Sequence, residues 1–145
     1  MTKTDYQQLS DLNVDFFERA KISLLDPLGL YLANDVKWIK TNQNWNYLKF
    51  PVVIGGKGQP ILLLHGFDSS FLEFRRIYQS LKRNFQVIIP DLLGFGFSPR
   101  CAVNEYNPSK IISYLVDLLK TLKIKDNLKI IGASMGGSTA LKLAF

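Results

Sequence analysis

Residues 128–145 read Leu-Lys-Ile-Ile-Gly-Ala-Ser-Met-Gly-Gly-Ser-Thr-Ala-Leu-Lys-Leu-Ala-Phe, and three successive textures in that stretch decide the fold. Leu128–Ile131 is a short apolar run of the kind buried in a sheet. Gly132 to Gly137 is a run of small residues interrupted by Ser134 and Met135. From Ser138 onward the residues favour a helix. Strand, tight turn and helix in that order give Gly132-Ala133-Ser134-Met135-Gly136, a G-x-S-x-G pattern, its required context. A serine hydroxyl is a weak nucleophile and must be presented outward on a sharp turn where a base can reach it. Gly132 and Gly136 flank it because such a turn has no room for side chains. The helix that follows aims backbone N–H groups and its positive dipole end at the same place. Ser134 is therefore the candidate nucleophile.

Upstream, the same alternation continues. Ile61–Leu64 and Gln86–Ile89 are continuous apolar runs suited to buried strands. Between them, Ser70 to Arg83 is helical in character, with a stripe of Phe71, Phe74, Ile77, Tyr78 and Leu81. Pro108 to Leu122 is an amphipathic helix carried by Ile111, Ile112, Leu115, Leu118, Leu119 and Leu122, with Asn107 placed as its N-cap and Pro108 in its first turn. Alternating strands and helices imply an α/β fold with a mostly parallel sheet flanked by helices. Val36–Lys40 and Trp45–Ile54 suit half-buried strands joined by a turn at Asn42–Asn44. Gly55–Pro60 is a flexible connection. It lacks the glycine spacing of a phosphate-binding loop and precedes a strand instead of a helix. Residues 1–35 form a helical arm on Leu9, Leu12, Phe16, Ala20 and Leu24, broken at Asp26-Pro27-Leu28-Gly29. Residues 36–145 form the remaining domain. Packing of the arm on that domain is expected, in preference to a lid or a partner-binding helix.

Two further motifs follow strands. His65-Gly66-Phe67 closes the Ile61–Leu64 strand, whose end lies beside that of a parallel neighbour and so can face Ser134. A tetrahedral intermediate needs two N–H donors, and the backbone amides of Phe67 and Met135 are the candidates. Asp91-Leu-Leu-Gly-Phe-Gly-Phe-Ser98 follows the next strand. Its two glycines lack the third glycine and the helix of a dinucleotide fingerprint, so Asp91 is read as the anchor of a tight loop at the site's rim.

Together, His65-Gly66-Phe67, the Asp91–Ser98 run and Gly132–Gly137 resemble the α/β-hydrolase superfamily, nearest its esterase- and lipase-like branch. The resemblance covers roughly residues 45–145. It implies a serine hydrolase acting on carboxylic esters through an acyl-enzyme on Ser134, with a Ser–His–acid triad, no cofactor and no metal. It places His65 and Gly66 in the oxyanion loop as supporting residues beside Asp91, Gly132 and Gly136. Nucleophile, acid and histidine follow in that chain order in this family. None of the eleven residues after Ser134 is Asp, Glu or His, and His65 is the chain's one histidine. The chain thus reads as the N-terminal half of an α/β-hydrolase fold, with the triad acid and base missing and a complementary C-terminal half as a partner. The Leu128–Ile131 strand is then left with an open edge. The rival reading is a catalytically inactive, hydrolase-like fragment or partner-binding module.

Composition excludes other classes. At 47% apolar and 21% charged residues, the chain is not a disordered tail. It holds no run of about 18 apolar residues for a membrane span, and its first residues lack a secretory core. Its one cysteine, Cys101, cannot close an internal disulfide and is an incidental thiol. A cytoplasmic protein acting on a small-molecule ester is expected. The net charge of +6 divides into −3 over residues 1–35 and +9 over the rest. The bases are spread over every element, and 13 of the 18 are lysines, so nucleic-acid binding is not expected. Trp38 and Trp45 are assigned to strand packing. Phe67, Phe95 and Phe97 line an acyl pocket or pack the loops, and the sequence leaves that open.

Overall fold

The computed structural model describes residues 3–41, 45, 48–100 and 106–145. The expected turn at Asn42–Asn44 and Cys101 lie outside these. The elements in chain order are α1 (Lys3–Ile22), α2 (Pro27–Ala33), β1 (Val36–Lys40), β2 (Lys49–Gly55), β3 (Gln59–Leu64), a 3-10 turn (Phe71–Phe74), α3 (Arg75–Lys82), β4 (Phe85–Pro90), α4 (Pro108–Thr121), β5 (Lys129–Gly132) and α5 (Met135–Ala144).

The five strands form one sheet in the order β1-β2-β4-β3-β5. Its parallel part is β4-β3-β5, where each crossover carries a helix. β1 pairs antiparallel with β2, and β2 antiparallel with β4. The sheet is therefore mixed, because a short connection between β1 and β2 permits only the antiparallel return. β3 lies between two parallel neighbours, so Leu62, Leu63 and Leu64 are fully buried.

Alternation along the strands feeds two cores. Val52, Leu62, Leu64 and Ile88 face one side, where Ile111, Tyr114, Leu115 and Leu118 of α4 cover them. Val53, Ile61, Leu63, Val87 and Ile89 face the other, against Phe71, Phe74 and Tyr78. Helix α4 begins as expected: the Asn107 side chain accepts from the Lys110 N–H at 3.0 Å. Ile77, expected in the buried stripe of α3, is 43% exposed. The 3-10 turn shifts the helical phase so that Phe74 and Tyr78 point inward and Ile77 lies on the flank.

The arm corrects the sequence reading in its phase. Leu12 and Phe16, expected to face inward, are 66% and 62% exposed, whereas Ser10 and Phe17 are buried. Phe17 sits edge-on among Trp38, Phe71 and Phe97, with ring centroids 5.2–6.1 Å away. The Ser10 hydroxyl accepts from the Lys49 N–H at 3.1 Å, at the start of β2. One aromatic socket and one polar anchor thus outweigh the aliphatic stripe. Leu9 and Leu24 do pack on the cores. No described helix is long and apolar enough to cross a membrane.

Candidate active site

β3 and β5 end side by side, with Leu64 in register with Gly132. The Ala133 N–H donates to the Leu64 carbonyl at 3.0 Å and ties the following turn to the end of β3. Ser134 then adopts φ +51° and ψ −115°. For a residue with a side chain this is a strained backbone, and such strain persists only where surrounding structure enforces it. The enforcement is steric. A Cβ on Gly136 would lie 2.6 Å from the Leu64 carbonyl carbon and 2.7 Å from the His65 oxygen. A Cβ on Gly132 would meet the Gly136 carbonyl. Hydrogen bonds from Gly136 N to Ala133 O (2.8 Å) and from Gly137 N to Ser134 O (2.9 Å) complete the turn. The Ser134 side chain is exposed and does not cap α5.

Gly66 lies against this serine, since a Cβ there would stand 3.5 Å from Ser134 Cβ. Its own N–H is occupied, donating to Glu73 Oε2 at 2.8 Å. The next amide, Phe67 N–H, and the Met135 N–H at the start of α5 donate to no described residue. Glu73 therefore determines which amide of the loop is left available. Sequence reasoning missed Glu73. The signal was Ser70-x-x-Glu73, which reads as a capping box folding back on Ser70. Ser70 does cap the 3-10 turn, but the carboxylate reaches across to Gly66 instead.

His65 is fully buried, and both ring nitrogens are engaged. Nε2 accepts from the Leu92 N–H at 2.9 Å, which leaves Nδ1 as the N–H that donates to the Gly66 carbonyl at 2.8 Å. Burial holds its pKa below the usual histidine value. It is a neutral brace between two loops, with no nitrogen turned to Ser134.

Asp91 braces the rim. Oδ1 accepts from the Phe71 N–H at 2.6 Å and Oδ2 from the Phe97 N–H at 2.7 Å. Its backbone carbonyl accepts from the Ser98 and Tyr114 hydroxyls. Complete burial pushes its pKa up to about 7 despite those two amides.

The three phenylalanines divide. Phe67, 73% exposed, stacks edge-on against Phe95 at 5.4 Å, and Phe95 meets the His65 ring at 6.0 Å. Both line a cavity of about 400 Å³ together with Met135 and Ile111. Phe97 turns away to pack on Phe17 and Phe71. No cluster of three His, Cys, Asp or Glu that could hold a metal occurs among the described residues. The arrangement offers a strained, outward hydroxyl and two unengaged amides on adjacent strand ends. Among the described residues, no histidine or carboxylate bonds to that hydroxyl.

A family model for the alpha/beta hydrolase fold matches residues 59–144. A 2-hydroxy-6-oxo-6-(2'-aminophenyl)hexa-2,4-dienoic acid hydrolase from Metapseudomonas resinovorans is 37% identical over 59% of this chain and 30% of its own length. Lipase 1 from Psychrobacter immobilis is 37% identical over 60% of this chain and 27% of its own. A meta-cleavage product hydrolase structure from Pseudomonas fluorescens superposes with a TM-score of 0.67 at 27% identity, covering 74% of this chain and 39% of that one. An alpha/beta hydrolase fold protein from Burkholderia ambifaria gives 0.62 at 29%, covering 67% and 35%. The chain thus spans less than a third of the length of these two curated relatives.

Proposed function

The chain belongs to the α/β-hydrolase family, and on that premise we propose that it carries the nucleophile and oxyanion half of a serine hydrolase acting on carboxylic esters. Ser134 attacks the ester carbonyl. The amides of Phe67 and Met135 receive the oxygen as it becomes an oxyanion. On collapse the C–O bond to the alcohol breaks, and the alcohol leaves with the proton given up by the Ser134 hydroxyl. The acyl group stays on Oγ until water hydrolyses it to the free acid and restores the serine. The observation that carries this reading is the backbone of Ser134. A non-glycine residue held at φ +51° with its hydroxyl exposed is costly, and presenting a nucleophile is what that cost achieves.

Among the described residues, none is placed as the general base for Ser134. His65 is committed through both nitrogens, and Asp91 and Glu73 are committed to backbone amides. The surface for a complementary segment is the free edge of β5, where Leu128, Ile130, Ala140 and Leu141 line a groove of about 540 Å³ and Ile131 is 42% exposed. The Psychrobacter lipase and the Metapseudomonas hydrolase both bear hydrolase names, which supports the reaction class.

That no described residue is placed as a base favours a second reading, a non-catalytic module that keeps the elbow. A fluorophosphonate probe separates the two. Covalent labelling that disappears in Ser134→Ala supports a live nucleophile, and no labelling of a well-folded sample to which a base-bearing segment has been supplied supports the module.

A further inference from the structure

Beside the elbow, α4 and α5 both line the cavity of about 400 Å³. One face of α5 forms its long wall, with Met135, Ser138, Thr139 and Lys142 at the spacing of a single helical stripe. Opposite stand apolar side chains, among them Ile111 and Phe95. The Thr139 hydroxyl is turned back onto the Met135 carbonyl at 2.9 Å, so it presents no free proton to the cavity. Among the described residues, Lys142 is the cavity's sole charged residue, and no described carboxylate lines the wall beside it. The ion pairs among the described residues engage Arg19, Lys49, Arg75 and Lys82, but not Lys142. An apolar slot that starts at the Met135 amide and ends at a lysine with no described carboxylate partner has a directional chemistry.

We propose that this cavity selects an ester whose acyl chain ends in a second, anionic carboxylate, and that Lys142 is the specificity-determining residue. The orientation of the chain rests on the nucleophile assigned above, but the pairing with Lys142 does not. Seven residues of helical rise separate Met135 from Lys142, about 10 Å along α5. Helical side chains lean toward the N-terminus, and Lys142 lines the same cavity as Met135. A half-ester of a medium-length dicarboxylic acid fits it, with the ester carbonyl at Met135 and the free carboxylate at Lys142. Its methylene chain lies against Ile111 and Phe95. A neutral ester of equal length leaves the ammonium without a partner.

The test titrates the full chain with monomethyl suberate and with dimethyl suberate, following the Met135 methyl resonance. The half-ester is expected to bind about fivefold more tightly at low ionic strength, the upper end for a solvent-accessible pair. That preference should disappear in roughly 1 M salt, where exposed charges are screened within about 3 Å. Lys142→Gln should abolish it and Lys142→Glu should reverse it. Lys57→Gln, on the exposed connection before β3, should keep it, which separates a local pair from the overall positive charge. Equal affinity for the two esters, a preference surviving Lys142→Gln, or a Met135 resonance unmoved by either ligand would overturn the proposal. Ser134→Ala should leave the ratio intact. A ratio present in a chain that no phosphonate labels would retain the role of Lys142 and remove the nucleophile.

Discussion

Gly136 and Gly137 are adjacent in sequence and opposite in consequence, so replacing each by alanine examines the elbow directly. At Gly136 the new methyl would lie 2.6 Å from the Leu64 carbonyl carbon and 2.7 Å from the His65 oxygen, with the Leu64 oxygen closer still. Ordinary contact begins near 3.4 Å. The start of α5 must therefore retreat from β3 by about 1 Å, because backbone on both sides cannot rotate away. Overpacking of this kind costs about 3 kcal/mol, the upper end of its usual range. A retreat of that size also moves Ser134 and the Met135 amide, and a 1 Å misplacement can cost about 10²-fold in rate. At Gly137 the nearest atom would be the Gly132 oxygen at 3.3 Å, a contact a few tenths of an ångström of adjustment relieves. Alanine there also gains up to about 1 kcal/mol of helix propensity. Urea denaturation followed by tryptophan fluorescence, with phosphonate labelling of Ser134 in parallel, reads both effects. Gly136→Ala should lose stability and labelling together, and Gly137→Ala should stay within about 1 kcal/mol of the parent on either side. Similar behaviour of the two variants would refute the close approach of β3 and α5 on which the elbow geometry rests.

Four further outcomes follow from the braces around the site and the cap of α4. Folded Asp91 keeps its proton up to about pH 7, whereas the unfolded carboxyl releases it near 3.8. The contribution of this group to stability therefore falls as pH rises between those values, by at most about 1.4 kcal/mol per pH unit. Unfolding curves between pH 4 and 7.5 should show that slope, and Asp91→Asn should remove it; an unchanged slope in the variant would assign it elsewhere. His65 acts with the opposite sign: its lowered pKa gives stability that is full above its unfolded value near 6.5 and lost as pH falls. Glu73→Ala frees the Gly66 amide and loosens the loop that presents Phe67, so labelling of Ser134 should slow toward the roughly 10²-fold loss of a missing oxyanion donor. Stability should drop by less than about 1.5 kcal/mol, and Glu73→Gln, which keeps an acceptor, should retain most of the rate; equal losses in the two variants would point to mere unfolding of the loop. Asn107→Ala should destabilise the chain by about 1 kcal/mol through loss of the α4 cap, measured as a lower denaturation midpoint with labelling unaffected.

The strands and helices around the site were legible because their periodicities are unambiguous. Ile61–Leu64 and Gln86–Ile89 could only be buried strands, and Asn107-Pro108 marked the start of α4 as the structure has it. The parallel part of the sheet followed from the crossovers, but the antiparallel return of β1 and β2 left no mark on the pattern of apolar residues. Helix α1 was misphased because Phe17 and Ser10 find specific partners, a ring socket and the Lys49 amide, that aliphatic counting does not weigh. At the site, Gly132 and Gly136 were legible from the need for space. Glu73 was not, since its partner Gly66 is seven residues away and only the folded turn brings them together. Lys142 escaped notice for a similar reason: its meaning comes from the cavity beside it, not from its neighbours in the chain.

The most direct measurement is a crystal structure of the chain after reaction with a fluorophosphonate, whose tetrahedral phosphorus stands in for the carbon of the intermediate. The account expects phosphorus on Ser134 Oγ and its non-bridging oxygen 2.7–3.1 Å from the amide nitrogens of both Phe67 and Met135, the range of a working oxyanion site. Phosphorus on another residue, or an oxygen directed away from either amide, would contradict it.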